Sequence, residues 1–95
     1  MSVRRANRTD RNHQELRDAL RAIGWTVLDL SAAGNGIPDL IGVKAGRVAF
    51  LEVKDGAKPP SAQQLTEKEA AVLWTLKQAG AEVHILRRVS DIDGL

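Results

Sequence analysis

The chain of 95 residues has no cysteine and no tyrosine, one phenylalanine, one methionine and three prolines. Without cysteine, neither a disulfide framework nor a thiolate metal site can form, which fits a reducing, intracellular compartment. No run approaches the roughly eighteen apolar residues that a membrane span needs. Met1 to Asn12 is charged and lacks an apolar stretch, so no secretory signal is expected there. The length suits one domain with no separate targeting module. A domain of this size buries only about two-thirds of the surface its unfolded chain exposes, so self-association would relieve a thin stability margin.

What charge there is lies unevenly. The net charge is +2, yet Arg4, Arg5, Arg8 and Arg11 face a single acid, Asp10, in the first eleven residues. Residues 1–11 therefore read as a basic arm suited to a polyanion, although a solvated tail has the same composition.

From Asp10 to Ile23 the apolar residues Leu16, Ala19, Leu20 and Ile23 recur at helical spacing, with Asp10 as a cap and Gly24 as a stop. Trp25 to Leu30 reads as a strand, and Ser31 to Pro38, with two glycines and a proline, as a loop. Asp39–Lys44 and Arg47–Lys54 are apolar runs separated by Ala45-Gly46, the pattern of a hairpin. Asp55 to Gln64 is a second loop, since Lys58-Pro59-Pro60-Ser61 suits neither a helix interior nor an inner strand. Thr66-Glu67-Lys68-Glu69 matches a capping box, with Leu65 and Ala70 as its apolar staple, and opens a helix that ends at Ala79-Gly80. Glu82 to Leu86 is a last strand, and Arg87 to Leu95 has little pattern. The order α-β-β-β-α-β predicts an α/β domain with a small mixed sheet flanked by helices. Trp25 is expected in the core. Trp74 lies opposite the Leu65, Val72, Leu76 stripe and is expected to face a partner. His13 is expected on the helix surface and His84 outward on its strand, too scattered for a metal site.

The hairpin carries the chemistry. With Ala45-Gly46 as a two-residue turn, Lys44 faces Arg47, and the same register sets Asp39 opposite Glu52 with Cβ atoms roughly 5 Å apart. Lys54 follows on that face by the strand period of two. A bulge at the turn would shift these pairs by one. Two carboxylates this close in an apolar hairpin resist joint ionisation. A divalent cation resolves the conflict, and oxygen ligands, including the Val53 carbonyl, point to Mg²⁺ or Mn²⁺. Lys54 could then orient a water or stabilise charge developing on a phosphorus centre. The plainer alternative is a solvated strand end in which Asp39, Glu52 and Lys54 form an ordinary salt bridge.

Pro38-Asp39 followed by Glu52-Val53-Lys54 resembles the PD-(D/E)xK nuclease superfamily. Glu15 in the first helix, Gly34-Asn35-Gly36-Ile37, Leu51 to Gly56, Lys58-Pro59-Pro60-Ser61, Leu65-Thr66 with Glu69, and Val83 to Leu86 resemble the VRR-NUC family within it. The resemblance spans Asn12 to Val89, is closest to stand-alone phage or bacterial members, and divides the chain into the arm 1–11, a nuclease domain 12–89 and a tail 90–95. It implies a restriction-endonuclease-like core, Asp39 and Glu52 as metal ligands, Lys54 as the catalytic lysine, Glu15 as a helix acid reaching the metal, and Glu69 as a further catalytic group. It also implies a homodimer acting on branched DNA, as Holliday junction resolvases do, in the cytoplasm of a bacterial cell or a phage-infected host. Arg4, Arg5, Arg8, Arg11, Lys58 and Ser61 are the expected DNA contacts, with Lys44, Arg47, Arg87 and Arg88 able to join them. No base-reading motif is present, so recognition should rest on DNA shape. The alternative function is a non-catalytic nucleic-acid-binding module that keeps the fold.

Overall fold

The structure, a computed structural model, describes residues 7–95, with side chains from Arg11 onward. Arg4, Arg5 and the side chain of Arg8 lie outside the described residues.

Helix α1 spans Asn7–Ala22 and starts three residues earlier than Asp10, because no glycine or proline interrupts the preceding turn. It buries Leu16 and Leu20 completely. Ile23, expected on the same stripe, is exposed instead. The helix has already ended there, and the Gly24 and Trp25 amides cap the Arg21 and Leu20 carbonyls.

Strands β1 (Thr26–Asp29), β2 (Leu40–Lys44), β3 (Arg47–Val53) and β4 (Glu82–Leu86) form one sheet in the order β1-β2-β3-β4. The first three are antiparallel, and β4 adds parallel to β3 after the crossover through α2, Glu67–Gln78. The hairpin register is the expected one, with Lys44 facing Arg47 and Leu40 facing Leu51. Ala45 and Gly46 both take left-handed φ, 51° and 81°, so the turn twists with the strands and needs no bulge.

One face of the sheet makes the core. Val27, Leu40, Ala49, Leu51, Val53 and Leu86 pack with Leu16 and Leu20 of α1. Trp25 joins them, as expected, its ring lying over Gly42, where a Cβ would come within 2.9 Å of it. The opposite face is thinly covered: α2 buries Leu73 beside β4 and leaves Leu65, Val72 and Leu76 only half-buried. The stripe expected to pack on the sheet thus sits one residue away from the real contact. Leu28, Val43 and Val48 stay exposed, as does Trp74 at 65%.

The tail is also structured. Val89–Gly94 forms a short 3-10 turn in which the Asp91 carboxylate accepts from the Arg87 and Arg88 amides. This turn inserts Ile92 into the core and packs Leu95 against it. Val89, Ile92 and Leu95 recur every third residue, but three apolar positions among charges are too short a run for the sequence to announce this element. Ile92→Ala should lower unfolding free energy by about 2–4 kcal/mol, measured as a fall in urea midpoint at unchanged slope; a loss within the noise would show the tail to be dispensable.

Candidate active site

The turn that ends at Pro38 delivers Asp39 to the open end of the hairpin. Gly34, Asn35 and Gly36 all have positive φ. At Gly36 a Cβ would lie 2.6 Å from the Lys68 carbonyl oxygen, so only glycine lets this loop lie against the first turn of α2. Pro38 is fully buried, and the Leu30 amide donates to the Asp39 carbonyl at 2.7 Å. The ladder ends with Leu40 facing Leu51, one residue short of Asp39 and Glu52. The Asp39 carboxylate turns inward and accepts from the Val53 amide at 2.8 Å.

Glu52 is only 2% exposed. One carboxylate oxygen lies 3.8 Å from the Lys54 ammonium, and the other, Oε1, has no hydrogen-bond partner among the described residues. Burial, reinforced by the Asp39 and Glu69 carboxylates, pushes the Glu52 carboxyl up to about 8. Burial also raises Asp39, against the Val53 hydrogen bond and nearby His13, which pull it down. The two acids therefore strain against each other and against the apolar interior, and an orphaned buried carboxylate oxygen is what a cation would complete. The donors, two carboxylates with the Val53 carbonyl between Glu52 and Lys54, have the hard-oxygen chemistry of Mg²⁺ or Mn²⁺. The residues fit the ion in kind. Among the described residues, no three His, Cys, Asp or Glu side chains already stand as a closed cage.

Lys54 is 13% exposed on its side chain and donates to Glu69 Oε1 at 2.7 Å. The same oxygen accepts from the Thr66 amide at 2.9 Å, while Thr66 Oγ1 accepts from the Glu69 amide, so the capping box is complete and reaches into the site. Burial works against the Glu69 charge, but the Lys54 and Thr66 hydrogen bonds outweigh it and hold this carboxyl below its ordinary range. The Lys54 backbone is pinned on both sides, its amide donating to the Leu86 carbonyl at 2.9 Å and its carbonyl accepting from Asn12 Nδ2 at 3.1 Å.

A scan against protein families matches residues 1–93 to the archaeal Holliday junction resolvases (Hjc). The chain belongs to the Hjc family. No curated protein and no solved structure matches it. As an Hjc-family member it is a Holliday-junction-resolvase-like nuclease of the PD-(D/E)xK type, and the four-stranded sheet with its flanking helices is compatible with that fold. No helix among the described residues is long and apolar enough to cross a membrane.

Against this Hjc frame, the sequence-derived candidates divide. Asp39, Glu52, Lys54 and Glu69 come together from the residue before β2, the end of β3 and the residue after it, and the first turn of α2. Glu15 does not join them; it is exposed on the flank of α1. The helix turns Asn12 and His13 toward the site, and His13, expected on the surface, is only 9% exposed. Glu15 and His13 lie roughly 160° apart around the helix axis, which is why they face different ways. Burial of His13 was hidden because an isolated histidine one turn before Leu16 looks like any polar helix residue. Lys58 lines a cleft of about 160 Å³ with Asn12, His13, Val53, Lys54, Asp55 and Ala62, while Ser61 and Arg11 are exposed. His84, expected to face outward, is half-buried and bonded to Glu82, which Arg47 also clasps.

The raised Glu52 carboxyl sets a pH dependence. Between about 4.5 and about 8 the folded protein keeps a proton on Glu52 that the unfolded chain has lost. Stability without divalent metal should therefore fall as pH rises through that window. Binding Mg²⁺ or Mn²⁺ at pH 7 should expel close to one proton, read as a buffer-dependent calorimetric enthalpy; an enthalpy independent of buffer would contradict an ionising Glu52.

Proposed function

We propose that the protein is a divalent-metal-dependent DNA endonuclease that hydrolyses phosphodiester bonds at branched, junction-like DNA and works as a homodimer. The observation that carries this reading is the buried Glu52 carboxylate, unpartnered at Oε1, with Lys54 beside it and the Asp39 charge acting on it. Asp39, Glu52 and the Val53 carbonyl would hold Mg²⁺ or Mn²⁺. Such an ion supplies Lewis acidity toward a phosphoryl oxygen and an attacking water. Lys54 presents its ammonium to the phosphate and offsets the negative charge that grows there. Glu69 aims that ammonium and fixes it to the rigid first turn of α2.

The grip on DNA is read from Arg11, Lys58 and Ser61, with Arg4, Arg5 and Arg8 preceding them. These groups contact phosphate rather than base edges, so they favour shape over sequence. Pairing is supported by Trp74, exposed beside a groove lined by Leu65, Leu73, Val83 and Ile85 between α2 and β4. Two such sites in a dimer suit a symmetric four-way junction. The motif blocks from Gly34 to Leu86 favour a finer kinship with stand-alone VRR-NUC nucleases of phage or bacteria, acting in the cytoplasm.

Purified protein with Mg²⁺ or Mn²⁺ should nick four-way junctions faster than flap or duplex DNA, and Lys54→Ala should slow cleavage by about 10²–10³-fold. No cleavage of any substrate in either metal would overturn the enzyme reading. In sedimentation at micromolar concentration the protein should run as a dimer that Trp74→Glu converts to monomer; a wild-type monomer would remove the paired-site reading.

A further inference from the structure

The family resemblance implies a helix acid, Glu15, at the metal centre, but α1 turns it to solvent. The space that Glu15 was expected to reach is faced by His13. This histidine is 9% exposed and lines the same cleft as Val53 and Lys54. Its location is not accidental to a loose helix. Asn12, its neighbour, is hydrogen-bonded to the Lys54 carbonyl at 3.1 Å, and Leu16, one turn on, is completely buried. The backbone of α1 is thereby pinned against the end of β3 at the level of the candidate metal ligands.

Asp39 and Glu52 would supply two side-chain ligands, and with Glu15 turned to solvent α1 would supply none through a carboxylate. We propose that His13 is the third protein side chain of this centre, binding the cation through an imidazole nitrogen in the place a carboxylate was expected. This inference rests on the metal-site reading above. In the form described, the three side chains are not yet at ligand spacing, so the ion itself must draw them in. The consequence is chemical. An all-oxygen site suits Mg²⁺, whereas an imidazole nitrogen shifts preference toward transition metals. This nuclease should therefore favour Mn²⁺ over Mg²⁺ more strongly than a carboxylate at position 13 would allow.

The full chain loaded with Mn²⁺ gives a readout independent of cleavage. Pulsed electron paramagnetic resonance of the wild-type complex should show nitrogen modulation that changes on labelling histidine with ¹⁵N. The signal should vanish in His13→Gln and persist in His84→Gln. In calorimetry His13→Gln should weaken Mn²⁺ binding at least about tenfold, Glu15→Gln should leave it unchanged, and His13→Glu should narrow the Mn²⁺ to Mg²⁺ affinity ratio. If His13→Gln does not fold, the labelled wild-type spectrum and Glu15→Gln still decide. Mn²⁺ bound without nitrogen modulation, or weakened by Glu15→Gln instead, would overturn the role of His13 and leave the metal site standing. No Mn²⁺ binding at all would overturn both.

Discussion

Glu52 is the residue around which the rest is arranged. A carboxylate at 2% exposure with one oxygen unbonded is a state that an apolar sheet resists, and the resistance appears as a carboxyl pushed up to about 8. Three features surround it and make sense only in relation to it. Asp39 lies close enough for its charge to disfavour ionisation of Glu52. Lys54 stands 3.8 Å away, and Glu69 draws the ammonium toward α2. The tension is local, but it is held by global elements, because each neighbour arrives on a different piece of secondary structure.

The scaffold that holds this tension is unequal on its two sides. The α1 face has a packed core of Leu16, Leu20, Leu40, Leu51, Val53 and Leu86, closed at one end by Ile92 from the tail. Asn12 ties that face to the Lys54 carbonyl, so core packing and site geometry share a residue. The other face carries α2 over β4 and leaves Leu28, Val43, Val48 and Trp74 in the open. Such exposure is costly in water, and the proposed association would relieve it. Stability and pairing on DNA would then draw on the same surface.

The capping box of α2 shows how one residue can serve two ends. Thr66 and Glu69 satisfy backbone groups that every helix start leaves open. The same Glu69 oxygen also accepts from Lys54. The glycine loop closes the arrangement from the opposite side, since a side chain at Gly36 would collide with the Lys68 backbone. A helix cap, a tight loop and the Lys54 ammonium are thus one mechanical unit.

Much of this was written locally in the chain. The element order, the Lys44–Arg47 register and the Thr66–Glu69 cap follow from short-range rules: a period of two in strands, a two-residue turn, a capping motif. Those rules act between neighbours in sequence or across one turn, so sequence alone determined them. What only the tertiary structure decided is how whole elements rotate about their axes and where they stop. The rotation of α1 buried His13 and exposed Glu15; the crossing of α2 over β4 chose Leu73 over Leu65, Val72 and Leu76; the fold-back of the tail recruited Ile92. Rotation and crossing are set by packing between residues far apart in the chain, and no periodicity within one helix records which of its flanks will meet the end of a distant strand.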